Sequence, residues 1–123
     1  MSLEKTSDLV TVLLRARTVA HIEHWATDSY SQHMALGAFY DALSDLMDQF
    51  VESYQGYAGK RVKPALDAAR PKESIADELE LDIERIARLR YQAVPRDETC
   101  LQNIIDEIES LYQTTIYKLR MLK

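Results

Sequence analysis

His33-Met34-Ala35-Leu36-Gly37-Ala38-Phe39-Tyr40-Asp41-Ala42-Leu43-Ser44-Asp45-Leu46-Met47-Asp48-Gln49-Phe50-Val51-Glu52-Ser53-Tyr54 is the stretch on which the fold turns. Within it Leu36, Phe39, Tyr40, Leu43, Leu46, Met47, Phe50 and Tyr54 recur at the spacing of an amphipathic helix. Ser29 with Gln32 supplies a capping box at its start, and Gly56 a C-terminal stop, which predicts a helix over 31–54. Three more periodic stretches lie around it. Leu9, Val12, Leu13, Ala16, Val19 and Ala20 form one stripe in a helix expected over 7–25. Pro71 and the signal Ser74-x-x-Asp77 open a third over 75–93, with the stripe Ile75, Leu79, Ile83, Ile86 and Leu89. The fourth, over 98–121, carries Leu101, Ile104, Ile105, Ile108, Leu111, Tyr112, Leu119 and Leu122.

The links between these stretches are unequal, and that sets the topology. A few residues around Asp28 join the first pair and a few around Pro95 join the last, so each pair should form antiparallel neighbours. The link from Gly56 to Lys72 is longer, with one helical turn expected at Ala65–Ala69. An all-α, ferritin-like four-helix bundle is therefore expected: two antiparallel helical hairpins joined by a longer crossover, in a single domain spanning 1–123. The crossover carries Lys60, Arg61, Lys63, Arg70 and Lys72, read as a solvated connector rather than an anion site.

Composition agrees and excludes several classes of function. Of 123 residues, 46% are hydrophobic and 28% charged, a globular balance, and three Gly with three Pro are too few for an all-β chain. A net charge of −5 argues against general affinity for nucleic acid. The single Cys100 allows neither an internal disulfide nor a cysteine zinc site, and points to a reducing compartment. No apolar run approaches a membrane span and no signal peptide opens the chain, so a cytoplasmic protein is expected. No Gly-rich phosphate loop is present, and nothing supports nucleophilic catalysis.

The charges of the second helix are more informative. On a wheel of about 100° per residue with His33 at zero, Asp48 falls near 60°, Asp41 near 80°, Glu52 near 100° and Asp45 near 120°. The apolar face centres near 280° on the same wheel, so four carboxylates share a narrow stripe pointing away from the core. No Lys or Arg occurs between His33 and Tyr54 to neutralise them. Like charges at these spacings repel by a few tenths of a kcal/mol per pair, so an unneutralised stripe suggests a cation or a partner beyond a solvated face. All three histidines, His21, His24 and His33, stand close by in sequence, and together with the carboxylates they suit iron or another first-row divalent metal. His33 and Asp48 are about 22 Å apart along one helix, too far to share an ion. Two copies of the helix packed antiparallel about a two-fold axis would bring His24 and His33 of one near Asp48 and Glu52 of the other.

These residues, His24-Trp25, then His33, then Asp48 and Glu52, resemble the ferroxidase motif of the Dps family of ferritin-like proteins. The tail Leu111-Tyr112 with Ile116-Tyr117-Lys118-Leu119-Arg120 is similar to that family's last helix. The string from His24 to Tyr30, with His33 and Phe39-Tyr40-Asp41, looks closest to ferritin-like proteins carried by bacteriophages. The resemblance implies ferrous iron bound between two subunits, oxidised by peroxide or oxygen, and stored in a hollow dodecameric shell. Carried over by position, His24 and His33 would be nitrogen ligands from one subunit, Asp48 and Glu52 carboxylate ligands from its mate, and Trp25 would pack beside the site. Two departures stand out. Gly37 occupies the place of a family carboxylate, and the loop between the histidines is shortened. Residues 1–9 lack a lysine-rich tail, so no DNA binding is expected. Read without the resemblance, the residues leave three possibilities open: an iron-oxidising protein, a non-enzymatic helical oligomer or interaction module, and a bundle holding a metal structurally.

Overall fold

The computed structural model describes residues 2–123 and contains four helices: α1 (Leu3–Ala26), α2 (Tyr30–Ala58), α3 (Ile75–Ala93) and α4 (Thr99–Met121). Three begin on a serine whose hydroxyl accepts an otherwise unpaired backbone N–H. Ser2 takes that of Lys5, Ser29 that of Gln32 and Ser74 that of Asp77. α1 therefore starts ahead of its expected position, because Ser2 caps it before its apolar stripe begins.

The stop of α2 also differs from expectation. The helix runs through Gly56 and ends at Gly59, whose φ of 68° is left-handed and whose N–H returns to the Gln55 carbonyl. Gly56 is merely a helical glycine with open space where a side chain would stand.

Each helix touches two others: α1 meets α2 and α3, and α4 meets α2 and α3. The crossover decides the directions. Lys63 N–H donates to Ser7 Oγ at 2.9 Å, Ala65 N–H to Thr11 Oγ1 at 2.9 Å, and the Ala69 carbonyl accepts from Arg15 at 2.8 Å. Arg70 then pairs with Glu23 at 2.7 Å. The segment thus runs beside α1 from near its start to near its end and delivers α3 pointing back down, an up-down-down-up bundle. No helical turn forms at Ala65–Ala69. Its backbone groups are bound to α1 instead, and Pro64 and Pro71 disfavour helical backbone in the residues before them. Lys60, Arg61, Lys63 and Lys72 are exposed, as a solvated connector requires.

The expected stripes supply the core. Leu9, Leu13, Leu36, Phe39, Leu43, Phe50, Leu79, Ile86, Leu101, Ile105, Ile108 and Tyr112 are fully buried. Leu122, expected in the fourth stripe, lies just past the helix end and is exposed. The α3–α4 turn is held by buried Arg90, which donates to the Gln102 side chain at 2.8 Å and its carbonyl at 2.9 Å, and pairs with Asp106 and Glu109. Among the described residues no helix is long and apolar enough to cross a membrane.

Candidate functional site

The α1–α2 turn places His24 and His33 face to face. Their rings stack with centroids 3.7 Å apart and planes 16° from parallel. Each Nδ1 lies 2.7 Å from the other residue's backbone carbonyl. A carbonyl oxygen only accepts, so both Nδ1 atoms carry a proton, and the tautomer this selects is the one whose free lone pair is on Nε2. An Nδ1–H held by a carbonyl is the support that metal-bound histidines commonly have. The stacking sets a limit, however. Imidazole lone pairs lie in the ring plane, and two nearly parallel rings stacked 3.7 Å apart offer no nearby point that lies in both planes, so one ion cannot meet both lone pairs head-on. As placed, each ring can serve an ion, but the two cannot share one.

Gly37 has a clear packing role here. A Cβ at that position would meet His24 Cε1 at 3.1 Å and Nδ1 at 3.3 Å, so the missing side chain is the space into which the ring of His24 fits. His21 stacks on Tyr40 with centroids 4.1 Å apart and touches Trp25 at 4.3 Å. Trp25 leans on His21 with one face while 69% of the residue stays exposed.

The four carboxylates lie where the wheel put them. Asp41, Asp45, Asp48 and Glu52 are all exposed on the outer side of α2, and none has an ion pair or side-chain hydrogen bond among the described residues. Within one chain they do not join the histidines. Among the described residues no group of three or more His, Cys, Asp or Glu side chains is arranged to hold a metal ion.

A second polar site lies on the opposite side, between α1 and α3 beneath the crossover. Glu78 and Asp82 are buried there, at 5% and 2% exposure. Arg85 donates to Asp82 at 2.7 Å and to Glu78 at 3.2 Å. Arg15 reaches the same Glu78 oxygen and lies 3.6 Å from Asp67 of the crossover. From α4, the Tyr112 hydroxyl donates to Asp82 at 3.3 Å. Burial pushes the Asp82 carboxyl up to about 6, against the pull of Arg85, and burial likewise raises the Tyr112 phenol well above its ordinary value. Glu78, Asp82, Arg15, Arg85 and Asp67 line an open groove of about 520 Å³. A strongly shifted carboxyl in a cleft marks either acid–base chemistry or a structural ion network. Here Arg85 and Tyr112 each occupy one Asp82 oxygen while Arg15 holds Glu78, which makes the cluster a tie between three helices and the crossover.

The sequence stripe had passed over this pair. Its signal was available: on a wheel of about 100° per residue Asp82 sits about 20° from Leu89 and 40° from Ile86, inside the apolar face of α3. A carboxylate there must be buried, and Arg85 one turn on is a natural partner.

Comparison with known proteins returns a phage relative. The chain is 29% identical over 119 residues to an uncharacterised 14.6 kDa protein from the mobD–ri intergenic region of Enterobacteria phage T4, an alignment covering 95% of this chain and 89% of that one. No solved structure matches. The model of the family of unknown function DUF5856 matches residues 24–119, which takes in both histidines of the clasp, the whole acidic stripe and the buried carboxylates, and the chain belongs to that family.

Proposed function

We propose that this protein binds ferrous iron, or another first-row divalent cation, between two copies of the chain, and that the bound iron is the substrate of a Dps-like oxidation and sequestration. The observation that carries the reading is the reciprocal clasp, which fixes the His24 and His33 tautomers so that each Nε2 keeps its lone pair. Neutral imidazole nitrogen and carboxylate oxygen are the donors such an ion takes. In a two-fold pair Asp48 and Glu52 of one copy supply the oxygens that the histidine end of the other lacks. Because the rings stack, each ion has a single histidine donor. Gly37 adds no carboxylate, so Asp48 and Glu52 carry most of the affinity.

The test is the formation of ferric product. Wild-type protein given ferrous iron and peroxide should develop the ultraviolet absorbance of ferric oxo species faster than buffer, and an Asp48→Ala, Glu52→Ala double variant should lose most of that gain. Equal rates for the two proteins end the catalytic reading.

A second reading is favoured by the same clasp. The two rings also bond the α1 and α2 backbones to each other, as a purely structural staple would. On that reading the chain is a non-enzymatic helical oligomer. Metal analysis of protein incubated with iron and desalted then finds none, while His24→Ala lowers the melting temperature.

A further inference from the structure

Every residue of the crossover from 63 to 70 is exposed, Leu66 at 69%. A segment that buries no apolar side chain is held by polar contacts alone, and such segments open before the rest of a fold. The contacts are few. Lys63 and Ala65 donate their N–H groups to Ser7 and Thr11, and Arg70 pairs with Glu23 at the surface. Bonds of this kind, close to water, hold weakly. Arg15 is different, because it joins the crossover to the interior. It donates to the Ala69 carbonyl, lies 3.6 Å from Asp67 and pairs with buried Glu78.

What Arg15 can give the crossover depends on the charges beneath it. Glu78 and Asp82 stand one turn apart on α3 and share a single nitrogen of Arg85, at 3.2 and 2.7 Å. α1 contributes Arg15, α4 only the neutral Tyr112 hydroxyl, and the crossover Asp67. Of the other charges lining the groove, Arg70 is committed to Glu23, while Lys72 and Glu73 are opposite in sign. With Asp82 ionised, three carboxylates therefore draw on two guanidinium groups. Arg85 is held at Asp82, Glu78 falls to Arg15, and Asp67 is left with the longest contact of the set. With a proton on Asp82, two guanidinium groups face two carboxylates. Arg85 then serves Glu78, and Arg15 is freed toward Asp67.

We infer that the crossover is a proton-controlled strap: protonation of Asp82 releases Arg85 to Glu78 and Arg15 to Asp67, and so tightens residues 63–70 on α1. Burial holds the Asp82 carboxyl near 6, which brings the exchange into an ordinary pH range. The strap is separable from the stability of the bundle, because Asp67, the group that receives Arg15, is 60% exposed and outside the core. None of its groups is on α2, so it is independent of the metal reading.

Amide exchange of the full chain tests it, with rates corrected for the intrinsic effect of pH. Protection of the Lys63 and Ala65 amides should rise by about threefold or more from pH 7 to pH 5. Asp82→Asn, neutral at every pH, should show the higher protection at both. Asp67→Asn should lose the rise while its urea midpoint keeps the pH dependence that buried Asp82 confers. Wild-type protection equal at the two pH values overturns the inference. An Asp67→Asn variant that keeps the full rise overturns it too, by assigning the rise to general stabilisation. Should Asp82→Asn lose its helical circular dichroism, the wild-type and Asp67→Asn measurements still decide.

Discussion

Asp82 holds its proton higher up the pH scale than an ordinary carboxyl because burial penalises its charge more than Arg85 and Tyr112 compensate. The unfolded chain releases that proton near 3.8 and the folded one near 6, so between these values the native state binds more protons. The stabilisation is present in full below the unfolded value and is lost as pH rises through about 6. Its size is on the order of 3 kcal/mol. Urea midpoints should therefore rise between pH 7 and pH 5, and an Asp82→Asn variant should lose most of that rise. Glycine gives a second contrast at this scale. Gly56→Ala puts a methyl into open space within a helix and should stabilise by roughly 0.5–1 kcal/mol. Gly37→Ala should forfeit that gain, because His24 is pinned by its stack and its carbonyl bond and cannot retreat from the new methyl. Denaturation curves of the two variants, compared at the same pH, decide this.

At the scale of elements, the crossover depends on Arg15 more than on its own sequence. Arg15 grips the Ala69 carbonyl, approaches Asp67 and pairs with buried Glu78, so one side chain ties α1, α3 and the link together. Arg15→Met should cost about 2–3 kcal/mol by leaving Glu78 with Arg85 alone, and should speed limited proteolysis across residues 65–73. Arg70→Ala, at an exposed pair, should change stability by well under about 1 kcal/mol. The helices were legible because burial imposes a period, and the Ser29 and Ser74 caps because each stands just before that period, whereas Ser2 lies well ahead of Leu9 and carried no such mark. The crossover's extended path was not legible, since its partners, Ser7, Thr11 and Arg15, lie some fifty residues away and carry no local mark. The stripe of α2 was legible for the same reason as the core, being the part of the wheel left outside. The clasp was hidden, because adjacency across a turn says nothing of ring planes. Only with the rings in place does it emerge that His24 and His33 cannot jointly hold one ion.

For the whole molecule, every neighbouring pair of helices is antiparallel, so the helix dipoles of adjacent elements oppose one another around the bundle. The polar tie of α3 and the acidic stripe of α2 belong to diagonal helices that never touch, so the groups that hold the fold stand apart from the exposed carboxylates. The start of α1 sits beside Ala93 at one end, through the Thr6 hydroxyl, while Leu119 and Arg120 share a groove with Gln32 at the other. Pulled between Leu3 and Met121, the bundle is accordingly loaded lengthwise, with α1 and α4 drawn past their neighbours in shear. No helix can be peeled away one turn at a time from a free edge. Mechanical rupture should then be abrupt, with packing along whole helix lengths yielding together, and the crossover bonded beside α1 adds to what must slip.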